Sequence, residues 1–432
     1  MTDIKNNMTA NKMYERSISL PRGTLDLTYQ TNFSGDSKNY ELEDLLGFAQ
    51  RINPKRAFLF VSKVLGRHIP VAPGTMRHAF TDLANLVPDD LPEPILVIGM
   101  AETAVGLSAG VHQALQTRYP NALLLNSTRH AQHNDDNTET LLTTFSEDHS
   151  HASQHLIYQS ADTVTQAQLL ASKTLIMVDD EASTGNTCVN VVTALRNAGL
   201  TELEQVHLTT LVDWSLNQNQ AQADVDDNIS TRLPNIDFHR HHLLSGAWQW
   251  TDATNPESIT MPSVDTTEAG SYALGDTGNW GRFPTLDSTD GFAFYLTKFQ
   301  AAFNLFNQQA QFEKEQLEKE QLDKKQLPKR ILVLGSNEFV WLPFLLAEWL
   351  ETQTQNATVK FSALTRSPIA LGGAITTMLS FSDNYGLGMT NFAYNVEPSN
   401  WDLIVLCVET SADSVDEMWK DLDNVLVVSP TL

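Results

Sequence analysis

The chain has 432 residues, 41% of them hydrophobic, and a formal net charge of −24. That length holds two domains with separate cores, and no apolar run approaches the roughly 20 residues that cross a bilayer. Such a charge excludes proteins that coat nucleic acid or an anionic membrane, which need clustered Lys and Arg; screening over about 8 Å still lets a local nest of amides and basic groups receive a small anion.

The opening MTDIKNNMTANKMYERS lacks the apolar core of a secretory signal, so residues 1–40 read as a disordered or loosely packed lead-in and the expected location is cytoplasmic. NPKRAFLFVSKVLGRHIPV (53–71) is locally basic through Lys55, Arg56, Lys63, Arg67 and His68. PILVIG (94–99) reads as a buried strand, followed by the loop MAETAVG and a helix with Leu107, Val111, Ala114 and Leu115 on one face. NALLLN (121–126) is the next strand. The polar tract Ser127–Gln154 follows, and His130, His133, His149, His151 and His155 in and beside it have no ligand spacing that suggests a metal.

TLIMV (174–178) is a strand whose following helix, CVNVVTALRNAG, closes at Gly199 as a C-cap. VHLTTLVDW (206–214) adds a strand, and HHLLSGAWQWT reads as one more returning to the same domain. Strands alternating with helices predict a mostly parallel sheet with helices on its faces over 41–250. Residues 251–330 form a connector: a Pro/Ser/Thr-containing tract, the amphipathic helix FAFYLTKFQAAFNLF, and a charged repeat. Its Leu317, Leu322 and Leu327 recur every five residues and so rotate by about 140° each, which makes a solvated spacer and no coiled-coil seam. From 331 to 432, ILVLG, WLPFLLAEWLE, VKFSAL and LIVLCV build a second, smaller α/β domain. Cys188 and Cys407 belong to no C-x-x-C pair and read as buried apolar residues.

The chemistry concentrates in LIMVDDEASTGNT (175–187), where a buried strand runs into two adjacent acids. In an open parallel sheet, ligands bind beyond the carboxyl ends of the strands. Asp179 and Asp180 stand at such an end, and Ser183, Thr184, Gly185, Asn186 and Thr187 open a helix whose free N–H groups and positive dipole end favour phosphate. Acids beside a phosphate cradle suit neutral hydroxyls, so a phosphorylated sugar fits both halves.

Strand, acid pair, Ser-Thr-Gly-x-Thr turn and helix together resemble the phosphoribosyl-pyrophosphate (PRPP) motif of the type I phosphoribosyltransferases. The resemblance implies that Asp179 and Asp180 hold the ribose hydroxyls and that 183–187 hold the 5′-phosphate. It also implies that the loop Ala101, Glu102, Thr103, Ala104, Val105 and Gly106 cradles pyrophosphate with an unusual peptide geometry, and that the tract after NALLLN is a mobile hood with Arg129 as its basic residue. Glu181 departs from the apolar residue usual there; it either faces solvent or contributes a carboxylate near the base, and with Lys55 and Arg56 it is a candidate substrate contact. Position 183 lacks the acid of purine-salvage members, which leaves an orotate-like arrangement.

FSALTRSPI (361–369) extends the likeness, from roughly residue 40 onward, to bacterial proteins that join such a domain to a C-terminal domain named for Thr365, Arg366, Ser367 and Pro368. Those proteins are associated with tellurium-resistance and stress gene clusters and with making a nucleotide-like compound. In the second domain Ser336, Asn337, Glu338 and Arg366 are candidates for a second polar pocket, without a dinucleotide or P-loop signature. The implied activity is Mg²⁺-dependent transfer of phosphoribose from PRPP to a base-like acceptor, with Mg²⁺ held mainly by substrate and no nucleic-acid or membrane partner; a homodimer is compatible with it. The competing reading is a PRPP-binding regulator without turnover.

Overall fold

The computed structural model describes residues 12–31, 40–51, 56–130, 140–146, 154–216, 229, 231–256, 258, 277–317, 328–354 and 356–431, with backbone alone for 309–317. In chain order the strands are β1 (Met13–Leu20), β2 (Gly23–Thr31), β3 (Leu46–Gln50), β4 (Phe58–Ser62), β5 (Ile95–Gly99), β6 (Leu123–Asn126), β7 (Leu141–Phe145), β8 (His155–Tyr158) and β9 (Thr174–Ala182). They continue with β10 (Gln205–Asp213), β11 (Asp237–Asp252), β12 (Arg330–Gly335), β13 (Thr358–Ala363), β14 (Met378–Ser382), β15 (Thr390–Tyr394), β16 (Leu403–Cys407) and β17 (Val425–Val428).

The larger sheet has the order β1-β2-β11-β10-β9-β5-β6. Five strands, β11 through β6, pair in parallel, and the antiparallel hairpin β1–β2 adds to the free edge of β11. Every residue of β5 is buried, and its alternation sorts the core. Ile95 and Val97 pack with Leu107, Val111 and Leu115 of the helix Val105–Leu115. Leu96 and Ile98 pack with Val189, Val192 and Leu195 of the helix Asn186–Asn197. A strand covered on both faces needs a continuous apolar run, which is why ILVIG shows no polar alternation.

The second sheet, β13-β12-β16-β17, is wholly parallel. Leu332 and Leu334 of β12 face a local core with Leu364, Leu406 and Trp419, whereas Ile331 and Val333 join the main core of the first domain. The helix Trp341–Gln353 makes this junction: Phe344 meets Phe80 at 5.4 Å and Trp341 at 5.2 Å between ring centroids. Two α/β units thus share one apolar seam. The hairpin β3–β4 also bridges them, since Ala49 and Val61 pack with Ile369, Ile375, Phe392 and Tyr394.

In both sheets the order in which strands are added switches side between two parallel neighbours, at β5/β9 in the first and β12/β16 in the second. Open α/β sheets bind ligands at such points.

The lead-in expected over 1–40 instead carries the β1–β2 hairpin, with Leu25 and Leu27 buried. Its partner β11 is the returning strand expected at HHLLSGAWQWT, extended in both directions. The polar tract after β6 carries the antiparallel pair β7–β8, where Phe145 stacks on His155 at 4.7 Å. His133, His149, His151, Lys55, Leu322 and Leu327 lie outside the described residues. No helix among the described residues is long and apolar enough to cross a membrane.

Gly110, inside the helix Val105–Leu115, lies where any Cβ would collide with the Phe80 ring, whereas a Cβ at Gly74 would meet only a Glu351 oxygen at 3.7 Å. Gly110→Ala is therefore expected to destabilise the protein by about 1–3 kcal/mol through overpacking. Gly74→Ala is expected to be neutral or stabilising by about 0.5 kcal/mol. Urea unfolding of both variants tests the contrast, and equal effects would refute this account of the helix contact.

Candidate functional site

The strand pairings of β9 place the acid pair. On the β5 side pairing stops at Gly99 with Val178, while on the β10 side it continues through Thr210 with Asp179 to Asp213 with Ala182. Asp179 to Ala182 therefore project past the end of β5, supported on one edge and open to the crevice on the other. Both acids are half-buried, and the Asp180 N–H donates to Asp179 Oδ1 at 3.0 Å. Burial and the neighbouring Glu181 charge push the Asp180 carboxyl up from 3.8 to about 6.

Behind them the turn 183–185 leads into the helix Asn186–Asn197 through Gly185 at φ +74°, a left-handed conformation that favours glycine. A methyl at Gly185 would lie 3.1 Å from Arg240 Nη2. Arg240 donates to the Ser183 carbonyl at 3.3 Å and to the buried Asp213 carboxylate at 3.1 Å, so a cation is fixed against the turn. Nothing in the motif pointed to Arg240; it sits within His-Arg-His-His on β11 and arrives through the β10–β11 pairing.

Glu181 is partly buried and paired with Arg56. Its two oxygens accept from Arg56 at 2.7 and 3.0 Å, and Trp214 Nε1 donates to it at 3.1 Å. Arg56 lies over the rings of Phe58 and Phe60, and Phe60 stacks on Trp214 at 4.4 Å. This cluster ties β4 to the end of β9.

The loop after β5 has a cis peptide between Ala101 and Glu102. Its Ala101 N–H donates to Ser127 Oγ at 3.0 Å, and Ser127 Oγ lies 3.0 Å from His155 Nδ1. Gly99 allows the close approach here, because a Cβ would strike Ser108 and Asn126. The Glu102 carboxylate is held by two guanidiniums, one on each oxygen: Arg67 reaches Oε2, and Arg366 reaches Oε1 with Nε at 2.8 Å and Nη2 at 2.6 Å. Burial alone would raise this carboxyl, but Arg366, Arg67 and the nearby Arg129 overcome it and hold Glu102 well below the ordinary range.

The second-domain candidates converge on the same place. Ser336, Asn337 and Glu338 follow β12, and the Asn337 carbonyl accepts from Arg67 Nη1 at 2.6 Å. Glu338 crosses to the first domain, accepting from Thr128 Oγ1 at 2.5 Å and from the Arg129 N–H at 2.9 Å. Below them, Ser336 Oγ donates to Asn384 Oδ1 at 2.7 Å, and Tyr385 donates to Glu409, which also pairs with Arg282. The candidates thus form two groups. Asp179, Asp180 and 183–187 line the β9 end, while 101–106, Arg129, Ser336 to Glu338 and Arg366 meet at the junction of the domains. Arg67 belongs with the second group, although the sequence marked it only as one of several basic residues.

Residues 45–244 match the family described as Phosphoribosyl transferase (PRTase_2), and residues 302–425 match the one described as TRSP domain C terminus to PRTase_2. The chain therefore holds a type I phosphoribosyltransferase-like domain and a separate C-terminal TRSP domain. No curated protein matches it. Among solved structures, the adenine phosphoribosyltransferase of Leishmania donovani is 13% identical, with a TM-score of 0.30 over 47% of this chain and 78% of its own. The enzyme of Leishmania tarentolae is also 13% identical, with a TM-score of 0.31 over 47% and 85%. That of Trypanosoma brucei, in complex with AMP, pyrophosphate and ribose-5-phosphate, is 13% identical, with a TM-score of 0.30 over 52% and 86%. Likeness at this level says nothing of substrate.

Because the folded state raises the Asp180 pKa, it favours the protonated form; stability is retained below the unfolded value of 3.8 and lost as pH rises through about 6. Asp180→Asn is expected to raise the melting temperature at pH 8, by the equivalent of up to about 3 kcal/mol, and to give little of that gain at pH 4. Melting curves at both values check this, and a gain independent of pH would contradict it.

Proposed function

We propose that the chain is an Mg²⁺-dependent phosphoribosyltransferase that moves the phosphoribosyl group of PRPP to a nucleobase or base-like acceptor and releases pyrophosphate. The observation that carries the reading is the overhang of β9: two acids project past β5 into the crevice, directly before a left-handed glycine turn and the start of a 12-residue helix. Asp179 and Asp180 accept hydrogen bonds from the ribose hydroxyls. The amides of the 183–187 turn, the helix N-terminus and Arg240 hold the 5′-phosphate. The family match over residues 45–244 supports the same transfer.

Displacing pyrophosphate from the anomeric carbon builds negative charge on the leaving group, which must meet donors already in place. In this reading the loop 101–106 and Arg129 provide them at the domain junction, while the acid pair fixes the ring for attack by an acceptor nitrogen, so the protein contributes position and electrostatics more than proton transfer. The oxygen-only donors Asp179 and Asp180 fit a hard cation, which in this reading would be held mainly by substrate. When bound, Mg²⁺ neutralises the diphosphate. Ser183, where purine-salvage members carry an acid, counts against a hypoxanthine-guanine acceptor and leaves an orotate-like one open, and the stress-cluster resemblance directs the acceptor search toward a nucleotide-like product.

Pyrophosphate release from PRPP, measured against a panel of bases, tests the activity. The wild-type chain is expected to release it with at least one acceptor, and the Asp179→Asn/Asp180→Asn variant is expected to bind PRPP at least about tenfold more weakly. PRPP binding without release for any acceptor would instead identify a regulator, and unchanged affinity in the double variant would remove the site assignment.

A further inference from the structure

The junction between the domains contains more than packing requires. Arg67, from the segment after β4, and Arg366, from the loop after β13, close on one carboxylate, Glu102, whose side chain is 12% exposed. Arg129 adds a third guanidinium, and Glu338, which accepts from the Arg129 N–H, adds a second carboxylate. Burial penalises every one of these charges. The side-chain amide of Asn337, fully buried at the same junction, has neither its oxygen nor its nitrogen hydrogen-bonded. An orphaned buried amide beside these guanidiniums is an arrangement that an entering anion completes.

The partners of these charges are also specific. Glu102 belongs to the loop assigned above to pyrophosphate, and Thr128 and Arg129 form the start of the segment that follows β6. The second domain grips the first through these two loops with side chains of opposite sign, Arg366 on one and Glu338 on the other. A domain attached only for stability needs no such choice, because the apolar seam around Phe80, Trp341 and Phe344 and the Arg77–Glu348 ion pair already join the two units.

We propose that the C-terminal domain is a working part of the phosphoribosyl site, with Arg366 positioning the pyrophosphate loop through Glu102, Glu338 positioning Thr128 and Arg129 just after β6, and the junction receiving the diphosphate end of PRPP. This inference rests on the phosphoribosyltransferase reading. It makes Arg366 a positioning residue and gives the Thr-Arg-Ser-Pro segment a role in substrate affinity. Arg366 grips Oε1 with two nitrogens, a geometry that lysine cannot reproduce.

Calorimetric titration of the full chain with PRPP and Mg²⁺ tests it. Wild type is expected to bind, Arg366→Gln to bind about tenfold or more weakly, and Arg366→Lys to recover part of the loss. Combining Arg366→Gln with Glu102→Gln is expected to be no worse than the more damaging single change, because both act through one contact. Glu348→Gln breaks the other cross-domain ion pair and serves as the structural control: it is expected to lower the melting temperature while leaving PRPP affinity within about twofold. If wild type binds PRPP and Arg366→Gln binds equally well, the inference falls and the phosphoribosyl reading stands. If wild type itself does not bind, both fall. Should Arg366→Gln fail to fold, Arg366→Lys decides, since unchanged affinity there overturns the positioning role.

Discussion

A single carboxylate, that of Glu102, organises the junction of this molecule. Burying it costs several kcal/mol unless partners compensate, and here compensation comes from two guanidiniums that reach it from different parts of the chain, Arg67 and Arg366. The loop after β5 therefore cannot take its place until the segment after β4 and the second domain have taken theirs. In the bare strand-loop-helix unit such a loop would be shaped by its own backbone alone. In this chain its position is a property of three segments together.

This constraint explains why the two sheets meet at the ends where their loops converge. Each sheet has a switch point, at β5/β9 and at β12/β16, and each would by itself offer a crevice. Side chains following β12 and β13 reach across to the loops following β5 and β6, so the second crevice is filled by a polar network continuous with the first. Ser336, Asn337, Glu338 and Arg366 consequently form less a second independent pocket than the far wall of the junction.

How much of this was legible in the sequence follows the range of the interactions. The run from Thr174 to Asn197 could be read because everything that defines it is local: an apolar strand, two acids, a glycine turn and a helix at 3.6-residue spacing. The second domain was legible for the same reason, since Ile331–Gly335 and Leu403–Cys407 are unbroken apolar runs. Pairings across long separations were not. Arg366 and Glu102 are 264 residues apart, and Arg67 and Asn337 are 270 apart, so no window on the chain shows that they meet. Arg240 was obscured by the histidines around it, and Glu181 by having two plausible orientations, which only the Arg56 and Trp214 contacts distinguish. The β1–β2 hairpin does show alternation from Gly23 to Thr31, but its polar and charged flanks resembled a tail, and the strand that covers it comes far later.

That late partner shapes how the chain must assemble. β11 runs parallel to β10 from Asp237 to Ser245 and antiparallel to β2 from Leu244 to Asp252, so one extended segment docks on both sides. The β1–β2 hairpin precedes β11 in the chain by the whole of the first α/β unit, so the edge of β2 finds its partner only across that distance. Loop closure over such a distance is slow compared with hairpin formation, and an uncovered strand edge is the surface by which nascent chains stick to one another. The β1–β2 hairpin thus joins the sheet through a long-range closure, and its outer edge on β2 stays unpaired until β11 has formed.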